Sequence, residues 1–130
     1  MYKIHDFIGI PYKDYGRSFN GCDCYGLVYL FYNYFLNINI DDYLIYDHSN
    51  KKEIESIINK LKLKWEKVNK PSLYDCILFK IEGRVSHIGI YVGNKRFLHN
   101  ASFRKMSCIE RLDHPFWKQR IEGYYAYVNC

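Results

Sequence analysis

The sequence predicts a single α+β domain over residues 1–130, with helices first and an antiparallel sheet after them. Three observations support this fold class. The chain has 130 residues, of which 48% are hydrophobic and 18% aromatic, which is enough to bury one core. Apolar residues recur with a helical period before Pro71 and with a strand period after it. A run of helices followed by a run of strands is typical of α+β domains.

The first element is a helix of about three turns that begins at Cys24. The residues before it mix glycines, a proline and isolated aromatics, which predicts an irregular lead-in. Asn20, Gly21 and Asp23 supply turn and capping chemistry just ahead of the helix. One helical face then carries apolar residues at i, i+3, i+4, i+7 and i+11, namely Cys24, Leu27, Val28, Phe31 and Phe35.

A second helix is predicted by apolar residues at i, i+3, i+4 and i+7, namely Ile54, Ile57, Ile58 and Leu61. Asn50 and Glu53 have the spacing of a capping box at its start. The stretch Lys51–Lys70 is rich in lysine, and a solvated helix face is the simplest interpretation of its charge.

The second half of the chain has the patterns of strands. Alternating apolar residues in Ser86–Val92 indicate a half-buried strand, and Gly93–Asn94 marks a turn after it. Asp113 is placed to cap a short helical turn after Pro115. The other predicted strands are Cys76–Ile81, Arg96–Asn100, Met106–Leu112 and Ile121–Val128.

Composition excludes several classes of protein. The longest apolar run, Gly26–Tyr32, is far shorter than the roughly 20 residues that cross a bilayer, so no membrane span is expected. The net charge of +5 favours anionic partners, but basic and aromatic residues are not clustered as in nucleic-acid-binding domains. The N-terminus does not resemble a secretory signal, so synthesis in the cytoplasm is expected. Five cysteines, an odd number, favour reduced thiols over a disulfide framework.

Cys24 is the first candidate for covalent chemistry. A thiol at a helix start meets unpaired backbone N–H groups that favour its anion, so we expect a lowered pKa and a reactive thiolate. Such a nucleophile needs a base that is oriented by a third polar group. His87 and His99, on the two strands of one predicted hairpin, are the candidates for these roles.

The two histidines share a face of the sheet only if the connection between their strands has an odd number of residues. Gly93–Asn94 alone would be a two-residue loop and would separate them, whereas a three-residue loop such as Gly93–Lys95 would not. We expect an odd connection, because Leu98 then joins the core residues of the preceding strand, which are Ile88, Ile90 and Val92.

Two other interpretations of these residues stay open at this point. In the first, Cys24 is simply a small core residue, and the histidines are hydrogen-bonded core groups. A zinc site built from Cys22, Cys24, His87 and His99 is also conceivable, although Cys-x-Cys departs from the usual ligand spacing.

The motifs around these residues resemble those of the NlpC-type cell-wall endopeptidases, a papain-like family of cysteine peptidases. Gly21–Val28 is similar to the family's nucleophile motif, and Ser86–Gly93 to its histidine strand. The other matching segments are Pro11–Tyr12, Leu73–Phe79 and Phe97–Ala101.

This resemblance implies a papain-like fold in which the nucleophile helix packs on a central antiparallel sheet. It implies Cys24 as nucleophile, His87 as base and His99 as the group that orients the base. Tyr12 would lie beside the nucleophile and help the backbone N–H of Cys24 to stabilise an oxyanion. Asp23, Tyr25 and Ser86 are the further predicted substrate-binding residues, and Tyr25 stands where wall-recycling members have serine.

The implied substrate is a peptidoglycan peptide, cut at the D-γ-glutamyl–diamino acid bond, with no metal or organic cofactor. The end of the chain, in Ile109–Trp117 and Arg120–Tyr124, resembles that of small peptidases encoded with bacteriophage tail genes. This resemblance implies that tail-tip proteins are its partners. It also implies that the protein acts at the cell wall, either as part of a phage tail or after lysis. A non-catalytic tail-assembly or wall-binding module, or an amidase or acyltransferase on the same scaffold, stays an alternative.

Overall fold

The computed structural model describes residues 1–44 and 52–128, without the side chains of residues 52–56. Two helices, α1 and α2, pack on one face of a six-stranded antiparallel sheet. This arrangement confirms the predicted α+β class and the predicted packing of the Cys24 helix on the sheet. Of the helices in the described part of the chain, none is both long and apolar enough for a membrane crossing.

The helices are α1 (Cys24–Leu30), α2 (Lys52–Leu61) and α3 (Pro115–Lys118), with 3₁₀ turns at Ile4–Phe7 and Ser102–Arg104. The strands are β1 (Arg17–Ser18), β2 (Gly21–Cys22), β3 (Trp65–Val68), β4 (Cys76–Ile81), β5 (Arg84–Gly93), β6 (Arg96–His99), β7 (Cys108–Arg111) and β8 (Ile121–Tyr127). β1 and β2 form a small separate pair, and the main sheet has the order β3-β8-β4-β5-β6-β7. β4 to β7 are therefore a meander, and β8 returns to lie between β3 and β4.

The predicted first helix is confirmed, with one difference in its second half. Asp23 is the N-cap, and its carboxylate accepts a hydrogen bond of 2.7 Å from the backbone N–H of Gly26. After Leu30 the chain continues in a wider π-helical turn, Phe31–Phe35, so the apolar face extends as predicted while the pitch changes.

The other predicted elements agree with the structure in type, and their bounds differ by a few residues. α2 is present, although Asn50 and the side chain of Glu53, the predicted capping box, lie outside the described residues. The short helix α3 is capped by His114, whose Nδ1 accepts from the N–H of Phe116, so the prediction of Asp113 as the cap is wrong. Asp113 instead pairs with Arg111 at 2.9 Å. The strands β1, β2 and β3 were not predicted, because β1 and β2 have two residues each and β3, Trp-Glu-Lys-Val, does not alternate apolar and polar residues.

The two faces of the main sheet have different cores. One face packs against α1 and α2, and it includes Ile88, Ile90 and Leu98 as predicted. The opposite face has a smaller core around the fully buried Trp117, with Phe79 and Phe97 beside it. Because side chains alternate along a strand, successive residues of β5 and β6 pack alternately into one core and the other.

A one-residue bulge joins β5 to β6. Gly93 pairs with Arg96 across a two-residue turn at Asn94–Lys95, whereas Tyr91 pairs with Phe97. Both turn residues have positive φ, at 53° and 60°, as a type I′ turn requires. The predicted turn at Gly93–Asn94 is thus displaced by one residue. The predicted odd count is confirmed, but a bulge supplies it and not a three-residue loop.

The N-terminal segment is fastened across the end of β6. Asn100, which is fully buried, donates its side-chain amide to the carbonyl oxygens of Cys22 at 2.8 Å and Ile10 at 3.2 Å. The Ser107 hydroxyl donates to Phe7 and accepts from the N–H of Ile10. These bonds hold the irregular lead-in against the sheet, next to the start of α1.

The N-terminal segment packs so closely on α1 that there is no room for a side chain at Gly26. A Cβ at residue 26 would overlap the carbonyl oxygen of Gly16 and lie 2.9 Å from Cys22 Cβ. Replacing glycine with alanine inside a helix ordinarily stabilises by about 0.5–1 kcal/mol. We expect Gly26→Ala to lower the free energy of unfolding by about 1–3 kcal/mol instead, because overpacking outweighs helix propensity. Urea unfolding of both proteins measures the difference, and an unchanged or higher stability would contradict this packing.

Candidate active site

Cys24 and His87 line one open cleft with a volume of about 490 Å³. The cleft lies where the start of α1, the β4–β5 hairpin and the turn after β6 meet. Its remaining lining residues are Tyr12, Ile81, Glu82, Arg84, Ser86, Asn100, Ala101, Ser102 and Phe103. The structure therefore brings the predicted nucleophile and the predicted base to the same surface.

Cys24 reaches the sheet because β6 ends early. The register of β5 and β6 stops at Gly89 and His99, so Ile88 has no partner residue in β6. The backbone N–H of Ile88 instead donates to the Cys24 sulfur, as does the N–H of Tyr25. Cys24 is the first residue of α1, and the bond from Ile88 holds its thiol beside the backbone that carries His87.

A buried chain of hydrogen bonds runs from His87 to an acidic residue. His87 Nε2 lies 2.9 Å from His99 Nδ1, and His99 Nε2 lies 2.6 Å from Glu110 Oε2. Gly89 makes room for the first contact, since a Cβ at residue 89 would lie 2.8 Å from the Phe97 ring and 3.4 Å from His99 Cβ. His87 and His99 are 4% and 0% exposed, so the chain is shielded from water.

Besides the Cys108 thiol, whose sulfur lies 3.6 Å from Oε2, Glu110 has three further donors. Arg104 Nε and Nη2 each lie 2.9 Å from one of its oxygens, and Trp117 Nε1 donates to Oε1 at 3.1 Å. Burial by itself would raise the pKa of Glu110, but the bonds from His99, Arg104 and Trp117 hold that pKa well below its usual range. Glu110 is therefore a carboxylate, which can only accept hydrogen bonds.

The carboxylate determines which imidazole nitrogens carry protons. Since Glu110 accepts, His99 Nε2 must be the donor and His99 Nδ1 the acceptor when His99 is neutral. His87 Nε2 must then donate to His99 Nδ1. The remaining nitrogen of His87, Nδ1, has a free lone pair and is the atom that can take a proton from Cys24.

The pKa values favour neutral forms of both Cys24 and His87. Burial raises the pKa of the Cys24 thiol to about 12, and the charge of Asp23 adds to the rise. The N–H donors of Ile88 and Tyr25 lower it only in part. Burial also holds the pKa of His87 well below that of a free imidazole. The expectation that the helix start lowers the pKa of Cys24 is thus wrong for this structure, because the loss of solvation exceeds the effect of the N–H groups.

Tyr12 and Ser86 lie in the cleft as predicted. Tyr12 is held there by backbone bonds, its N–H donating to Lys105 at 2.9 Å. Burial raises the pKa of the Tyr12 hydroxyl, and negative charge at Cys24 would raise it further. The hydroxyl is therefore protonated, and it hydrogen-bonds the Asp14 side chain in the cleft that Cys24 also lines. Ser86 is the extra residue of a bulge between β4 and β5, immediately before His87.

Asp23 and Tyr25 do not line this cleft. The Asp23 carboxylate is occupied by the N–H groups of Gly26 and Tyr15 and by Arg17, whose Nη1 lies 2.8 Å away. Tyr25 is 4% exposed, and its hydroxyl donates to the carbonyl of Asp41. Both border a small cavity on the other side of Cys24, so their part in binding substrate stays a prediction.

The four residues of the alternative zinc site do not gather their ligand atoms. Within the described ranges, the group whose potential ligand atoms lie within 4.8 Å of one another is His99, Cys108 and Glu110. Cys22 instead contacts the Asn100 amide, at 3.4 Å from its sulfur.

Glu110, Arg104 and Trp117 were missed as site residues in the sequence analysis. The strand containing Glu110 was predicted, but its register against β6 was not. Only the pairing of His99 with Cys108 reveals that Glu110, two residues later, lies on the face of His99. Trp117 reaches the same face from a four-residue helix, a placement that no local pattern indicates.

Known proteins are similar to this chain over most of its length. The sequence profile described as the NlpC/P60 family matches residues 9–125. Murein DD-endopeptidase MepH of Escherichia coli is 27% identical over 126 residues, which are 95% of this chain and 43% of that protein. Probable peptidoglycan endopeptidase LytE of Bacillus subtilis is 30% identical over 117 residues, 89% of this chain and 30% of that protein. The chain thus spans less than half the length of these two relatives.

Solved structures agree on the fold. An NlpC/P60 family protein from Bacillus cereus superposes with a TM-score of 0.69 at 23% identity, over 95% of this chain and 37% of that one. The NlpC/p60 domain of peptidoglycan hydrolase SagA superposes with a TM-score of 0.63 at 16% identity, over 94% and 91%. With the profile match over residues 9–125, the chain belongs to the NlpC/P60 family, whose papain-like α+β fold it has.

Proposed function

We propose that the protein is a cysteine peptidase that hydrolyses peptide bonds of peptidoglycan with a Cys24, His87 and His99 triad, in which Cys24 and His87 react and His99 positions His87. The observation that carries this proposal is the chain from His87 through His99 to Glu110, which leaves His87 Nδ1 as a base in the cleft of Cys24. The peptidoglycan endopeptidases among its relatives support the substrate class.

Acylation begins from a neutral thiol and a neutral imidazole. As the Cys24 sulfur attacks the carbonyl carbon of the scissile bond, its proton passes to His87 Nδ1. The carbonyl oxygen becomes an oxyanion, which the backbone N–H of Cys24 and the Tyr12 hydroxyl stabilise. His87 then gives the same proton to the leaving amine. The C–N bond breaks, and a thioester on Cys24 remains.

Deacylation repeats these roles with water. His87 Nδ1 takes a proton from a water molecule, and the resulting hydroxide attacks the thioester carbon. Collapse of the second oxyanion breaks the C–S bond, and the thiol regains its proton from His87. His99 holds the imidazole of His87 in one tautomer throughout, as the third member does in other triads. No step requires a cofactor.

For the bond, we propose the D-γ-glutamyl–diamino acid link that the resemblance implies. The names of the relatives favour a second candidate, since MepH of Escherichia coli is a DD-endopeptidase and therefore acts on a different kind of bond. Arg84 and Glu82 give the cleft rim charges of both signs, which suits a peptide that carries carboxylates and amines.

The wider setting is proposed from the resemblance alone. The ending Ile109–Trp117 supports action at the cell wall within a phage tail or after lysis, with tail-tip proteins as partners. We also propose that residues 1–130 act as one catalytic domain. The named relatives do not bear on the tail setting, which stays a prediction. The alternatives are a non-catalytic module, or an amidase or acyltransferase of the same fold. Turnover measurements distinguish each of them from a peptidase.

The resting state of Cys24 is testable by spectroscopy. Because burial raises the pKa of its thiol to about 12, we expect the ultraviolet absorbance of a thiolate to be missing at neutral pH. The difference between the protein and its Cys24→Ala variant should show a thiolate step only above about pH 10. A step near or below neutral pH would mean that the pair rests as thiolate and imidazolium.

The catalytic roles are testable by substitution. We expect Cys24→Ser and His87→Ala each to lower the rate of peptidoglycan digestion by several orders of magnitude, because nucleophile and base act as a unit. His99→Ala should cost less, since His99 does not touch the reacting atoms. Circular dichroism verifies that each variant is folded. A folded Cys24→Ser variant that digests as fast as the unmodified protein would overturn the assignment.

The bond is identified by mass spectrometry of defined stem peptides and cross-linked dimers after digestion. The proposal predicts fragments that end in D-glutamate and fragments that begin with the diamino acid. Conversion of dimers to intact monomers would instead show DD-endopeptidase activity. Loss of the whole peptide from the sugar would show an amidase. The Cys24→Ala variant, run in parallel, excludes contaminating hydrolases.

A further inference from the structure

We propose that Glu110 is a positioning residue, which acts through His99 to keep the proton of His87 on Nε2, and that Arg104 limits how strongly it does so. This inference rests on the proposed cysteine-peptidase function, because it assigns a role to residues behind the proposed base. It extends the chain of functional groups to a strand, β7, and a turn, Ser102–Arg104, that do not contact the nucleophile.

The first step in the argument is the direction of the hydrogen bonds. Without Glu110, His99 can either accept from or donate to His87, because a neutral imidazole has two tautomers. In the reversed tautomer, His99 Nδ1 would donate to His87 Nε2, and the proton of His87 would move to Nδ1. His87 would then present a donor to Cys24 and would be unable to act as its base.

The second step is that Glu110 excludes this reversed tautomer. Its oxygen lies 2.6 Å from His99 Nε2, and a carboxylate has no proton to donate. With the reversed tautomer, two acceptors would face each other at that distance. Water does not compete effectively, since the His99 side chain is 0% exposed. The charge at Glu110 therefore determines the proton position two hydrogen bonds away.

The third step concerns the charges around the imidazoles. The titratable groups that face His99 are His87, Glu110, Cys108 and Arg104, and Cys24 shares the cleft of His87. Burial lowers the pKa of both His87 and His99, and the charge of Glu110 opposes that fall at each of them. The charge of Arg104 lowers the pKa of His99. The two residues of one ion pair thus act in opposite directions on His99, the direct partner of the base.

The chain offers a matched control on the same strand. Arg111 and Asp113 form an exposed ion pair with the same bidentate geometry, Nε and Nη2 each 2.9 Å from one carboxylate oxygen. This pair does not contact either histidine. Substitutions in it report what the loss of an exposed arginine–carboxylate pair does by itself.

The test is the dependence of kcat/KM on pH for Glu110→Gln, Arg104→Gln and the control Arg111→Gln, on one stem peptide. We expect Glu110→Gln to lower kcat/KM about 10- to 100-fold, by analogy with the range typical when the carboxylate behind a metal-binding imidazole is lost. Its acidic limb should move to lower pH, because a negative charge that raises the pKa of the base is gone. Arg104→Gln should move the acidic limb to higher pH, and Arg111→Gln should leave it in place.

Nitrogen NMR of the imidazoles provides a readout that does not require turnover. In the unsubstituted protein, His87 and His99 should each show a protonated Nε2 and an unprotonated Nδ1. Glu110→Gln should give a mixture of tautomers at both residues, since a glutamine side chain can donate as well as accept. A single unchanged tautomer in folded Glu110→Gln, or limbs that move together in the Glu110 and Arg104 variants, would overturn the proposal. If the unsubstituted protein shows this tautomer pattern but does not digest peptidoglycan, the proposed function fails and the role of Glu110 in setting the tautomer stands.

Discussion

Everything in the candidate site depends on three consecutive strands presenting their functional residues on one face. Side chains alternate along a strand, so His87, His99 and Glu110 can meet only if the registers of β5, β6 and β7 agree. The two-residue turn at Asn94–Lys95 would by itself put His87 and His99 on opposite faces. The extra residue in the bulge between Tyr91 and Gly93 restores the agreement. A local irregularity of the backbone is thus a condition for the whole hydrogen-bond chain.

The nucleophile, Cys24, reaches this chain of hydrogen bonds from the helical layer of the protein. α1 packs on the face of the sheet opposite to the face of the histidines, so Cys24 cannot meet His87 across the sheet. It meets His87 at the point where β6 ends and the N–H of Ile88 becomes available to the sulfur. The buried side chain of Asn100 closes that end by holding the N-terminal segment in place. The length of β6 therefore matters as much as its sequence.

Much of this arrangement was predictable from the sequence, and what was not has a common cause. The helix at Cys24, its cap at Asp23 and the strand Cys76–Ile81 follow from periodicity and capping chemistry, which are local. The shared face of His87 and His99 followed from a burial argument about Leu98, although the bulge that produces it did not. Glu110 was missed because its role depends on the register between β6 and β7. The pKa of Cys24 was predicted in the wrong direction, because burial is a property of the assembled fold and not of the helix start.

The position of Trp117 has a consequence for observing this site. Its ring stacks on His87 with centroids 5.5 Å apart and meets His99 edge-on at 4.9 Å. The chain has two tryptophans, and Trp65 belongs to the core on the other face of the sheet. A charge gained by either imidazole therefore changes the surroundings of one indole and leaves the other as a constant background. The protein carries its own fluorescent indicator of the protonation of its base.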